Sequence, residues 1–266
     1  MDLWIVDTML NDKKIVVVMP AFNAAATLRK TYDDVMSQGI VDQVIVVDDA
    51  SDDNTSEVAA TLPGAIVRTH PENRGYGANQ KTCYKLALDS GADIVVMVHP
   101  DYQYDPRVIQ YAVGFITLQI CDIVMGSRIR TRRETLDGGM PLYKYISNRL
   151  LTTFENIGFG QNLGDFHSGF RIYNRQVLET INIDGNSDDF IFDTELLAQA
   201  IYCGFRVGDI PIPTRYEPDS SSINFQRSLK YGIQCVWVVT KYILQVSGLC
   251  KFKVFANTQA FDDKSK

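Results

Sequence analysis

Two oxygen-bearing side chains, Asp101 and Gln103, stand one residue apart where the apolar run Ile94–Val98 gives way to the turn HPDYQYDP. Hard oxygen ligands of this kind suit Mg²⁺ or Mn²⁺, ions that bridge protein carboxylates to substrate phosphates. Residues two apart on an extended segment point the same way, so the pair can share one cation. The alternative is a polar strand-to-helix turn, with Asp105 and Pro106 opening the next helix. Three more polar clusters stand out: Pro20-Ala21-Phe22-Asn23, Asp48-Asp49 within VVDDASDDNT, and NRGYGAN from Asn73 to Asn79. These carboxylates would repel an anionic ligand unless a metal or a neutral donor intervenes. A nucleotide base together with a metal-bound pyrophosphate satisfies both conditions.

Each cluster also has a plainer reading. Asp48 and Asp49 are suited to loop and cap chemistry. Gly75 and Gly77 could make only a tight turn before a helix, or could let backbone N–H groups approach a phosphate at the helix N-terminus. GYGAN is not GxGxxG and no P-loop lysine pattern is present, which argues against nicotinamide and Walker-type chemistry. Arg128, Arg130, Arg132, Arg133, Lys144 and Arg149 crowd one segment and suggest a local anionic partner, with a solvated basic loop as the alternative.

The elements that must carry these groups alternate in type. Strands are predicted at Ile15–Met19, Gln43–Val47, Ala65–Thr69, Ile94–Val98 and Asp122–Met125. Helices are predicted at Ala24–Gln38, from about Thr55, at Ala78–Ser90 and at Pro106–Gln119. Short apolar runs alternating with helices of this length imply βαβ units and a mostly parallel sheet, whose ligands bind past the carboxyl ends of the strands. The second half reads as a polar loop (Ser127–Met140), a helix (Pro141–Ile157), a strand (Phe170–Tyr173), a helix (Phe190–Cys203), a strand (Arg206–Ile210) and a long helix (Phe225–Val246). The expected fold class is α/β, one domain over residues 1–224 with a C-terminal helix and polar tail over 225–266.

With 266 residues, 45% hydrophobic and 22% charged, the chain can bury a full core. Its net charge of −6 lacks the basic footprint of a general nucleic-acid binder. The five cysteines are odd in number and widely spaced, which suggests free thiols in a reducing compartment such as the cytoplasm. The acidic start MDLWIVDTML does not read as a secretory signal. The apolar run Cys235–Val246 is well short of the roughly 20 residues needed to span a bilayer.

PAFNAAATL, VVDDASDDNT, NRGYGAN, HPDYQYDP, MGSR (Met125–Arg128) and DFHSGFR (Asp165–Arg171) occur in the order found in family 2 glycosyltransferases. The chain resembles their soluble branch near dolichyl-phosphate mannose synthase and the polyprenyl-phosphate glycosyltransferases, from about Ile15 to Tyr231. The resemblance implies a GT-A nucleotide-binding fold and inverting, Mn²⁺- or Mg²⁺-dependent transfer from a nucleoside-diphosphate sugar, UDP- or GDP-linked. It implies that Pro20, Ala21, Phe22, Asn23, Asp48, Asp49, Gly75, Asn79 and Asp101 line the nucleotide site. Asp101, Gln103 and His99 are the implied metal set. Arg128, Arg149, Ser168, Arg171 and Arg215 are implied on the acceptor and phosphate side. Two departures stand out: His99 replaces the usual first acid of the metal motif, and Ala24 replaces the usual Glu.

A lipid phosphate acceptor is already a nucleophile at neutral pH, whereas a hydroxyl acceptor needs a carboxylate base. Asp165 is the first candidate for that base, with Asp193 and Glu195 behind it, although FDTELL also suits helix capping and packing. The implied partners are the nucleotide sugar and a polyprenyl or dolichyl phosphate, reached by peripheral membrane association through Phe225–Val246. A glycan or other hydroxyl acceptor and a non-catalytic nucleotide-sugar-binding module are the alternatives.

Overall fold

The computed structural model describes residues 12–129, 131–214 and 225–256. Arg130 and Arg215 lie outside the described residues, as does the boundary expected at 224/225.

Seven strands form one sheet: β1 (Ile15–Ala21), β2 (Gln43–Asp48), β3 (Ile66–Thr69), β4 (Ile94–Met97), β5 (Ile123–Ser127), β6 (Arg171–Asn174) and β7 (Val207–Pro211). Their order across the sheet is β3-β2-β1-β4-β6-β5-β7. Every pairing is parallel except the two made by β6, which runs against both β4 and β5. The central strands are near-continuous Val/Ile runs because helices cover both faces, and β1 is buried along its whole length. Two apolar clusters result, one on each side of the sheet. One gathers Val16, Val18, Tyr84, Phe166 and Leu197; the other gathers Val17, Met19, Leu28, Ile109 and Ile172.

The helices are α1 (Ala25–Met36), α2 (Thr55–Ala60), α3 (Tyr76–Asp89), α4 (Ile109–Thr117), α5 (Arg132–Asp137), α6 (Leu142–Phe159), α7 (Arg175–Thr180), α8 (Phe192–Tyr202) and α9 (Phe225–Val246). Two were not expected. The predicted polar loop at Ser127–Met140 contains α5, N-capped by Thr131, whose Oγ1 accepts from the Glu134 N–H at 3.2 Å. Helix α7 follows directly from β6, its start capped by Asn174, which accepts from the Val177 N–H at 2.9 Å.

Helix α9 adds Cys235, Val238 and Val239 to the same core as α3 and α8, so it is packed into the domain along one face. Its other face carries exposed Leu229, Ile233 and Trp237. Helix α6 likewise leaves a stripe of Leu142, Ile146, Leu150 and Ile157 uncovered. No helix among the described residues is long and apolar enough to cross a membrane.

Candidate active site

The parallel strands β1, β2, β4 and β5 all end at one edge, and the polar clusters follow those ends. Because β6 is reversed, the turn that precedes it, Asp165–Phe170, arrives at this same edge. Donor-like and acceptor-like motifs are thereby brought together by topology.

The loops after β1 and β2 are stitched to each other. The Asn23 N–H donates to Ser51 Oγ at 2.8 Å, and Asn23 Oδ1 accepts from the Asp52 N–H at 2.9 Å. Asp53 serves two helix starts, accepting from the Ala25 and Thr55 N–H groups. Asp48 and Asp49 are buried, and their carboxylates are turned to internal partners. Asp48 accepts from the hydroxyls of Ser51 and Ser56. Asp49 accepts from the N–H groups of Arg74 and Gly75, each at 2.9 Å, and pairs with His70 Nδ1 at 2.6 Å. Asn79 ties the strand ends, donating to the Val47 carbonyl at 3.0 Å and the Ala21 carbonyl at 3.3 Å. These groups hold the rim in shape. Phe22, 49% exposed on that rim, presents its ring outward.

The glycines of NRGYGAN have a different partner from the phosphate considered above. The Gly75 N–H goes to Asp49, and the Gly77 N–H donates to the Asp188 carbonyl at 2.8 Å. A Cβ on Gly77 would sit 2.4 Å from the Ser187 carbonyl oxygen. The glycines permit a close approach, but of the segment before α8.

At the end of β4 the chain does not continue extended. Tyr102 has φ +57°, and Asp101 Oδ1 accepts from the Gln103 N–H at 3.0 Å. This Asx-turn, rather than strand alternation, sets the spacing of Asp101 and Gln103. Tyr102 is held in that left-handed conformation by its hydroxyl, which donates to Asp34, and by Lys30 Nζ lying 3.9 Å above its ring.

His99 is tied to Tyr76 of the NRGYGAN segment. Tyr76 Oη donates to Asp193 Oδ2 at 2.7 Å, which uses its one proton. His99 Nε2 lies 3.1 Å from the same oxygen and must therefore be the donor there, so Nε2 carries hydrogen. In that tautomer only Nδ1 can ligate a metal, so His99 could join the hard-oxygen pair Asp101 and Gln103 through that nitrogen alone. Gly169 makes room for this ring: a Cβ there would stand 2.4 Å from His99 Cδ2. Asp193 also accepts from Gln80 Nε2 at 3.2 Å, and Glu195 from the Ser187 N–H and Lys241.

On the acceptor side, Asp165 is fully buried, and its place as first candidate for a base does not survive its surroundings. Burial opposes its charge, but Arg128 outweighs that: Nε lies 2.7 Å from Oδ2 and Nη2 lies 3.2 Å from Oδ1. Asn148 and the His167 N–H add two donors, at 2.9 and 3.0 Å. The carboxyl is held well below the usual range, and a sealed, strongly acidic group is a poor proton acceptor. Asp165 anchors Arg128. Arg171 and Ser168, expected to meet the acceptor, are also fully buried. The Arg171 guanidinium donates to the carbonyls of Phe166, Ser168 and Asp193, and Ser168 Oγ caps the Phe170 N–H, so both shape the turn from within. Arg149 donates to the Gly164 carbonyl.

Four groups of this network were not picked from sequence: His70, Tyr76, Asn148 and Asp209. Asp209 accepts from the Gly164 N–H at 2.6 Å and is raised by burial and the neighbouring Asp165. Only Tyr76 carried a signal, its place inside NRGYGAN.

The family model for Glycosyl transferase family 2 matches residues 16–181, which take in the fold from β1 to α7 and the six ordered motifs from PAFNAAATL to DFHSGFR. This chain belongs to that family. The family makes it a glycosyltransferase. It is 32% identical over 213 residues to the uncharacterized protein MJ1222 of Methanocaldococcus jannaschii, covering 80% of this chain and 86% of that one. It is 27% identical over 221 residues to the UDP-N-acetylglucosamine–dolichyl-phosphate N-acetylglucosaminyltransferase of Methanococcus voltae, covering 77% and 87%. The fold of this glycosyltransferase is similar to that of Mycobacterium tuberculosis glucosyl-3-phosphoglycerate synthase, solved with Mn²⁺, uridine diphosphate and glucosyl-3-phosphoglycerate. That likeness has a TM-score of 0.69 at 18% identity, over 91% of this chain and 84% of that one.

Proposed function

We propose that this glycosyltransferase moves a sugar, with inversion, from a UDP- or GDP-linked donor to a polyprenyl or dolichyl phosphate at the cytoplasmic face of a membrane. The observation that carries the reading is on α6. One side of this helix supplies Asn148 and Arg149 to the turn that anchors Arg128, while its other side leaves Leu142, Ile146, Leu150 and Ile157 exposed. A helix polar toward the acceptor turn and apolar toward solvent is what an acceptor with a charged head and a hydrocarbon tail requires. The apolar face of α9, within the extension 225–266, widens the same kind of surface. The Methanococcus relative, by its name, acts on dolichyl phosphate.

The pocket side of the reading rests on Phe22 as an outward ring for the base and on the rim that Asp48, Asp49 and Asn79 keep in shape. Asp101 and Gln103 would hold the divalent ion, which stabilises the charge that develops on a departing pyrophosphate. Arg128, oriented by Asp165, would meet phosphate oxygens through its planar guanidinium. An ionised lipid phosphate attacks without a base, in keeping with Asp165 and Asp193 being committed to internal partners.

A hydroxyl acceptor is the second reading, favoured by Asp209, whose raised proton affinity is what a general base needs. Nucleotide release from a panel of UDP- and GDP-sugars, with Mn²⁺ or Mg²⁺ and with or without a polyprenyl phosphate, separates the two. Release that needs both metal and lipid phosphate is expected. Release that a soluble glycan stimulates and the lipid does not would overturn the lipid reading.

A further inference from the structure

Within the core, three ligand-type side chains converge from three separate segments. Glu155 comes from α6, His167 from the DFHSGFR turn and Cys235 from α9, and one ligand atom of each lies within 4.8 Å of the others. Glu155 has a fully buried side chain, yet neither of its carboxylate oxygens has a hydrogen-bond partner. His167 Nε2 is 3.1 Å from Glu155 Oε2 but out of line for a hydrogen bond, and it too lacks a partner. Cys235 Sγ meets Thr194 Oγ1 at 3.6 Å, but a buried carboxylate with neither oxygen hydrogen-bonded, beside an unpartnered imidazole nitrogen, is a costly arrangement in a folded core.

We propose that Glu155, His167 and Cys235 form a buried site for one borderline-soft divalent cation, Zn²⁺ by its donor chemistry, which clasps α9 to α6 and to the acceptor turn. Thiolate, imidazole and carboxylate are the three protein ligand types that Zn²⁺ takes in tetrahedral sites. Bonds of about 2.0–2.3 Å place tetrahedral ligands about 3.5 Å apart, so the three atoms, all within 4.8 Å of one another, need only small adjustments.

The hydrogen bonding around the cluster fits the role. His167 Nδ1 lies 3.0 Å from Tyr231 Oη, and Tyr231 Oη lies 3.3 Å from Thr194 Oγ1. With Nδ1–H donating to Tyr231, and Tyr231 donating to Thr194, the Nε2 lone pair is left pointing at the cluster. A metal-ligating histidine is oriented by a partner of its other nitrogen in the same manner. Charge balances as well. The cation displaces the Cys235 thiol proton to solvent and forms an S–metal bond, so two positive charges meet one thiolate and one carboxylate. The hard-oxygen set at Asp101 and Gln103 is of a different kind, and the two sites would select different ions.

The test uses the full chain, stripped of metal and titrated with Co²⁺ as a spectroscopic stand-in for Zn²⁺. One equivalent of Co²⁺ should give thiolate-to-cobalt charge-transfer absorption, abolished by Zn²⁺ and not by Mg²⁺. Cys235→Ser should lose that absorption, and Glu155→Gln should weaken Zn²⁺ binding at least tenfold. Zn²⁺ should also raise the thermal midpoint of the unmodified protein in a concentration-dependent way and raise that of Glu155→Gln less at every concentration, which keeps the test decisive if Cys235→Ser does not fold. No cobalt–thiolate band in the unmodified protein, an equal band in Cys235→Ser, or an equal Zn²⁺ shift in Glu155→Gln would each overturn the proposal.

Discussion

Arg128 grips Asp165 through two guanidinium nitrogens, at 2.7 and 3.2 Å, with the carboxylate sealed from solvent. Removing one partner of such a pair leaves an uncompensated buried charge. Arg128→Ala should therefore cost about 3–5 kcal/mol in denaturant unfolding. The double variant Arg128→Ala/Asp165→Asn should recover part of that loss, a coupling that a double-mutant cycle reads directly. Arg128→Lys keeps the charge without the two-pronged geometry, and is expected to raise KM for the acceptor more than for the donor.

The same pair predicts acid lability. The Asp165 carboxyl is held below its value in the unfolded chain, so its contribution is fully present above about pH 4. As pH falls below that range the unfolded chain takes up the proton first, and stability drops. Unfolding followed from pH 6 to pH 2 should show this decline, and Asp165→Asn should flatten it. An equal slope in both proteins would remove Asp165 as its source.

Tyr76→Phe deletes the hydroxyl that joins His99 to Asp193. Asp193 keeps Gln80, while the His99 N–H loses its acceptor. We expect about 1–3 kcal/mol of destabilisation and a fall in kcat. Restoration of activity by raising metal concentration would instead mean that His99 had become a competing ligand.

Gly169→Ala tests the fit of the His99 ring. A Cβ only 2.4 Å from Cδ2 must displace the imidazole or the turn that carries Ser168 and Arg171. The overpacking should cost about 1–3 kcal/mol, measured by chemical denaturation, with acceptor turnover reduced.

The apolar stripe of α6 gives the prediction for the membrane. Leu150→Glu and Ile157→Glu alter residues 69% and 79% exposed, so the fold should be unaffected to within about 0.5 kcal/mol. Binding to anionic lipid vesicles should fall sharply in a sedimentation assay, and nucleotide-sugar binding should persist. Unchanged sedimentation would detach this surface from the lipid.

Most of the fold was legible because each element was announced locally. The Val/Ile runs of β1, β2, β4 and β5 and the periodicity of α1, α3 and α9 were read within a few residues of their ends. The misses have physical causes. Helix α5 hides in a polar stretch, where its N-cap Thr131 stands among arginines and no apolar periodicity marks it. Helix α7 is one and a half turns begun by Asn174, too short for periodicity to register. At the site, strand-end placement was legible, but the use of each group was not. Asp48 and Asp49 read as ligand contacts, and their carboxylates also accept internally: Asp48 from the nearby Ser51 and Ser56, Asp49 from the N–H groups at Arg74 and Gly75, which with His70 come from twenty or more residues away. The Asp101–Gln103 spacing was judged on an extended chain, whereas Tyr102 turns it. Asn148 and Asp209 carry no motif, and only the folded chain brings them to Asp165 and Gly164.

The reversed strand also sets an order of assembly. β6 lies between β4 and β5 in the sheet yet follows both in sequence, so the two flanks have no hydrogen-bonded contact until residue 174 is in place. The flank β3-β2-β1-β4 is contiguous in sequence and is closed by local crossovers. β5 and β7 must wait for a strand that inserts between them and that flank. Non-local closure of this kind is slow, and until it occurs β4 offers an open apolar edge. During synthesis, the half bearing Phe22 and Asp101 would be formed while the half bearing Arg128 is still unpaired.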